Sequence, residues 1–232
     1  MSTSPLPSSD PQAREDDAWP DSALRAAGPS DTGQPSLVDL IALADERALA
    51  ASGLGCLDRC LPLLGDDDQV LRPLWVSLAD GTAWEGALGE VRGVLGADGS
   101  GGAAASGGSG VSGASRGSGA PRGPGADSDA VALARRMLDA VPAARSADSL
   151  RTWADGCSAA ALQIHRLLDA GNDGVSPLVA AELRRQVRVL ELLGGRAGTG
   201  GGLRQVLDVS TEGRRVLRAV VSRSRRSVAG AD

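Results

Sequence analysis

The sequence predicts an all-α protein, an antiparallel helical bundle or array in two segments joined by a disordered Gly/Ser-rich linker. Three observations lead there. Apolar residues recur at helical spacing through both halves. Phe and Tyr are absent, so the core must be Leu, Val and Ala with a few Trp, a mix that favours helix over sheet. Residues 96–126 are almost all Gly, Ala and Ser and have no apolar set to bury against the entropy of ordering them.

Residues 1–34 are Pro- and Ser-rich and acidic, and read as a disordered tail. Within them Trp19-Pro20 to Gly28 carries helix punctuation, with Trp19 and Leu24 as candidate anchors for a partner groove. The first helical segment is 35–95. Ser36-x-x-Asp39 reads as a capping box, followed by one stripe of Leu37, Leu40, Ile41, Ala44 and Ala48. Gly53 and Gly55 are expected to break it before a short helix from Cys56 to Leu64. Asp66, Asp67 and Asp68 are expected to open the next helix, at the positive end of its dipole, with Asp80-Gly81 stopping it. Thr82-x-x-Glu85 is expected to cap another.

Residues 127–226 form the second segment. Ser128 to Val141 reads as a helix limited by Pro142. The longest helix is expected from about Ala147 to Ala170, with Leu150, Trp153, Cys157, Ala160, Ile164 and Leu167 as its seam. Ser176-Pro177 signals an N-cap and first helical position, and that helix should turn Val179, Leu183, Val187 and Leu190 inward. After a Gly-rich loop, Gly194 to Gly202, two helices are expected, Leu203 to Val209 and Thr211 to Ser222, before a short tail, 227–232. The linker, about 30 Å in root-mean-square span, lets the segments dock without holding them together.

All 24 basic residues are Arg. Lys, Phe and Tyr share AT-rich codons, so the absence of Lys reads as base composition rather than selection for bidentate phosphate binding. Residues 1–126 hold 17 acids against 8 Arg (net −9), and residues 127–232 hold 12 against 16 (net +4). The two segments therefore attract each other. Three Cys in no disulfide pattern, and no signal-like or membrane-spanning apolar run, point to a reducing cytoplasm.

Chemistry-bearing motifs are sparse. Gly108-x-Gly110-x-x-Gly113 and Gly113-Ala114-Ser115-Arg116-Gly117 match nucleotide and nucleophile-elbow patterns, but both lie in the linker with no strand before them. Without Lys there is no Walker A loop. Cys56, Cys60, Cys157 and His165 make a nominal Cys₃His set without knuckle spacing, and read as core thiols and a histidine at the boundary of the apolar face. No metal or cofactor is expected, and the residue repertoire contains no coherent catalytic set. The remaining feature is the C-terminal Arg run, in which Arg214, Arg215 and Arg218 cluster on one helix face and Arg225 follows. With Trp19 and Leu24 these are the candidate partner-binding residues. The expectation is a non-catalytic helical adaptor or regulatory protein that binds another protein. The alternative is a nucleic-acid-associated regulator using the Arg-rich C-terminal helix.

Overall fold

A computed structural model describes residues 35–65, 67–99, 124–169, 176–194 and 201–229. Among them are eight α-helices, one 3₁₀ turn and no strand. No helix in this set is long and apolar enough to cross a membrane. Trp19, Leu24 and residues 100–123, with most of the anticipated linker, lie outside the described residues.

Helix α1 (Leu37–Leu43) begins where Ser36 accepts the Asp39 amide at 3.2 Å and Asp39 accepts the Ser36 amide at 3.0 Å, the anticipated capping box. The Ser36 hydroxyl, which donates to Asp39 Oδ2 at 2.7 Å, and the Ser36 amide hold the Asp39 carboxyl below the usual range. The single stripe from Leu37 to Ala48 is divided in two. Ala44 is extended, and the Asp45 side chain accepts the Ala48 amide at 2.8 Å to cap α2 (Glu46–Cys60).

Helix α2 runs unbroken through Gly53 and Gly55, contrary to the expected break. The physical reason is packing. A Cβ at position 53 would overlap the indole of Trp153, so glycine is what lets α2 lie against α6 (Ala147–Leu168). Every residue from Ala48 to Cys60 is buried, and α2 packs on α6, on α7 (Pro177–Gly194), on α8 (Gly201–Ala229), and on α3 (Arg72–Asp80) and α5 (Pro124–Asp139). A helix without a polar face belongs in the interior, and α2 is the axis around which the others pack.

A 3₁₀ turn, Leu61–Leu63, follows at Pro62. Helix α3 starts at Arg72-Pro73 and not at the aspartates. Asp67 accepts the Gln69 amide at 2.8 Å in a turn, Asp68 reaches across to α8, and Asp66 lies outside the described residues. Gly81, at φ 77°, supplies the left-handed C-cap. Thr82 does not cap α4 (Trp84–Gly99). Its carbonyl accepts the Ser77 hydroxyl at 2.7 Å and its amide donates to Asp80 at 3.0 Å. The α3–α4 pair is tied to the rest by the Trp84 indole, which donates to the Pro142 carbonyl at 2.8 Å, and by Arg92, which donates to the carbonyls of Asp139 and Val141.

In α6 the anticipated seam holds. Leu150, Trp153, Cys157, Ala160 and Ile164 are buried and Leu167 packs at the edge. Ser176 caps α7 by accepting the Leu178 and Val179 amides. Of the face expected inward, Leu190 is buried and Leu183 and Val187 pack half-covered against the core, and two polar residues join it. Those two, Glu182 and Gln186, are buried with Val189, while Val179 is only partly covered. The two expected C-terminal helices are one, α8, which is longer than α6 and rises about 43 Å. It passes through Ser210 and Thr211 without interruption because Ser210 is fully buried in its packed face.

Gly213 on α8 faces the side chain of Arg59, and a Cβ there would overlap its Cδ. Gly213→Ala is expected to destabilise the protein by about 1–3 kcal/mol through overpacking. Gly86→Ala on the exposed face of α4, where a Cβ meets nothing within 4 Å, should stabilise by about 0.5–1 kcal/mol. Urea unfolding of both variants checks this, and equal effects would contradict the packing role of Gly213.

Candidate functional site

Consecutive residues on a helix point about 100° apart. Asp58 and Arg59 therefore leave the C-terminal end of α2 toward different neighbours. Arg59, 1% exposed, meets Glu182 of α7, 0% exposed. Its Nε donates to both carboxylate oxygens at 2.9 and 3.1 Å, and its Nη2 donates to Oε1 at 2.6 Å. Gln186 Nε2 donates to Glu182 Oε1 at 3.0 Å, and the Ser158 hydroxyl on α6 donates to Gln186 Oε1 at 2.6 Å. His165, anticipated at the boundary of the apolar face, is instead buried, with Glu182 of α7 beside it. Its Nδ1 donates to the Ala161 carbonyl at 2.8 Å, and Nε2 lies 3.8 Å from Glu182 Oε2.

This network is a structural core. Burial works to raise the Glu182 pKa, but Arg59, His165 and the hydrogen bonds from Arg59 and Gln186 outweigh it and hold the carboxylate below its usual value. Burial pushes the Cys56 thiol up to about 12, although Arg59 opposes it, and raises Cys60 and Cys157 well above the usual thiol range. All three thiols are free and buried. Among the described residues no group of three His, Cys, Asp or Glu is placed to hold a metal ion.

Asp58 points the other way, to α8. Arg214 Nη1 donates to Asp58 Oδ1 at 2.8 Å and to the Asp68 carbonyl at 3.1 Å. Arg218 makes a two-pronged pair with the Asp68 carboxylate, Nη1 to Oδ2 at 3.0 Å and Nη2 to Oδ1. The hydrogen bonds from Arg218 hold Asp68 low. The predicted Arg set is therefore divided. Arg214 and Arg218 face acidic side chains of the first segment, while Arg215 and Arg225 are exposed.

Beside this ion cluster lies an open groove of about 390 Å³ between α3 and α8. Arg72, Trp75, Val76 and Ala79 line the α3 side, Leu203, Leu207, Thr211 and Arg214 the α8 side, and Asp58 and Asp68 complete the lining. Val76 and Leu207 are 45% and 36% exposed. The buried Trp75 indole N–H has no hydrogen-bond partner among the described residues.

Comparison with known proteins finds no match for the chain among family models, curated proteins or solved structures.

Sequence reasoning missed Asp58, Arg59 and Glu182 as partners. One signal was present. Asp58 and Arg59 sit in a stretch, Leu54 to Leu64, that is otherwise apolar or small, and charges on a helix with no polar face must be paired.

Burial raises the Asp58 pKa to about 6, against the opposing charge of Arg214. Between its ordinary value of 3.8 and about 6 the folded protein binds the proton more tightly than the unfolded chain. Stability carried by this group is therefore present at low pH and lost as pH rises through that window. Asp58→Asn removes the titration. Relative to the variant, the unsubstituted protein is expected to lose on the order of 2–3 kcal/mol between pH 4 and pH 7, measured by urea unfolding. A pH-independent difference would contradict the assignment.

Proposed function

We propose that this is a non-catalytic helical protein that binds a segment of another protein, and that the groove between α3 and α8 receives it. The carrying observation is the pairing of Val76 and Leu207, two large apolar side chains left exposed on opposite sides, α3 and α8, of a groove that Trp75 also lines. Isolated exposed hydrophobics need no explanation, but two that converge on one groove mark an interaction site. The size suits one or two anchoring side chains of an extended or helical segment. Charge sets the rest of the occupant's chemistry. Arg72 lines the groove and is exposed, and Arg215 lies near enough to influence Asp68, while Arg214 and Arg218 neutralise the aspartates of the lining. An aromatic or Leu anchor flanked by carboxylates fits that arrangement.

A peptide-display selection on the full-length protein tests it. The expected result is peptides with an apolar anchor and nearby Asp or Glu. Their binding should move the Trp75 indole resonance and weaken about 10-fold or more in Leu207→Glu. That residue is partly exposed, so the variant keeps its fold. Failure to recover any Leu207-dependent peptide would overturn the reading. So would retention of nucleic acid that falls about 10³-fold between 50 and 200 mM salt, which would transfer the function to the exposed Arg of α8.

A further inference from the structure

We propose that the groove has an occupant in its own chain: the segment from Trp19 to Gly28, which competes in cis with the partner and so regulates access. This rests on the groove being the protein-binding site argued above. Three observations carry it.

The first is chemical match. The chain has four Trp and no Phe or Tyr. Trp75, Trp84 and Trp153 are buried in the helical body, which leaves Trp19 as the one aromatic outside the described residues. Leu24 follows it, and together they offer the two apolar anchors that the walls at Val76 and Leu207 call for. The second is charge. Residues 1–34 hold six acids against two Arg, and Asp16, Asp17 and Asp21 immediately flank Trp19. The exposed cations beside the groove, Arg72 and Arg215, belong to the opposite sign. The third is reach. The described chain starts at Pro35, just before α1. The 16 residues from Trp19 to Pro35 span up to about 53–58 Å when extended. That exceeds the roughly 43 Å rise of α8, the longest helix among the described residues.

Tethering makes a weak contact effective. At an effective concentration of about 1 mM, a segment whose intermolecular Kd is about 100 μM occupies its site roughly nine-tenths of the time. It also weakens a competitor about 10-fold.

The experiment uses the full chain and its Trp19→Ala variant, with a synthetic peptide covering residues 14–28 as the probe. Trp19→Ala is expected to shift the Trp75 indole resonance. The peptide should bind the variant about 10-fold more tightly than it binds the unsubstituted chain and restore the original resonance, and Leu207→Glu should abolish both effects. Equal binding to the two chains, or an unmoved Trp75 resonance, would overturn the inference. The groove reading fails separately. A display-selected, Leu207-dependent peptide that binds both chains equally overturns the tethered occupant and leaves the groove as a protein-binding site. No Leu207-dependent ligand of any kind overturns both. A Trp75 shift that disappears on dilution would place the segment in the groove of a second copy and overturn the cis arrangement.

Discussion

The contact between Arg59 and Glu182 is the constraint on which the rest of the structure depends. Two full charges taken out of water cost several kcal/mol each, and only close, multiply hydrogen-bonded geometry offsets that. Here the geometry is supplied from four helices. α2 gives the guanidinium and α7 the carboxylate. Gln186, itself held by Ser158 of α6, adds a donor to the carboxylate. Gly213 of α8 leaves the space in which the Arg59 side chain lies. A pair of this kind adds little net stability over an apolar substitute. It does penalise every arrangement in which one partner is buried without the other. The consequence is register: α2 has one position along α7 at which both charges are satisfied.

That register places the outer features. Asp58 follows from Arg59 by one residue and is thereby aimed at α8, where Arg214 meets it. Asp68, just beyond the 3₁₀ turn, takes Arg218 one helical turn further along. These contacts bring α3 alongside α8 and leave a groove between them rather than a sealed seam. The acidic first segment and the basic second segment thus meet through Arg214 with Asp58 and Arg218 with Asp68, at sequence separations of 156 and 150 residues, while the Arg59–Glu182 pair, 123 residues apart, runs against the net charges of the two segments. The groove is a by-product of ion pairs that are complete and apolar sides that are not.

Local chemistry was legible in the sequence at several helix ends, although the expected Thr82 cap of α4 and the helix start at the aspartates, both local readings, did not form. Ser36 with Asp39, Ser176 before Pro177 and Gly81 after Asp80 all act within a few residues of themselves, and each does what its type and position indicate. The α6 seam was legible for the same reason, since periodicity is a property of one segment. What else escaped has its cause in another helix. Gly53 reads as a helix breaker until Trp153 occupies the space a side chain would need. Glu182 and Gln186 read as solvent-side residues of α7 until Arg59 and Ser158 pair with them in the interior. Ser210-Thr211 reads as a helix end until packing carries α8 through it. The candidate site belongs to this second class. Arg214 and Arg218 were visible as a cationic face, but the aspartates that claim them are in the other half of the chain, and no pattern within α8 records them.

A double-mutant cycle at Arg59 and Glu182 in the full-length protein tests the central claim most directly. Arg59→Met and Glu182→Leu each leave one charge buried without its partner, while the double substitution removes both. The account predicts about 3–5 kcal/mol lost by each single variant, recovery of most of that loss in the double, and a coupling of about 2 kcal/mol or more by urea unfolding. Single losses below about 1 kcal/mol that simply add would show that the pair does not set the register of α2, and would contradict it.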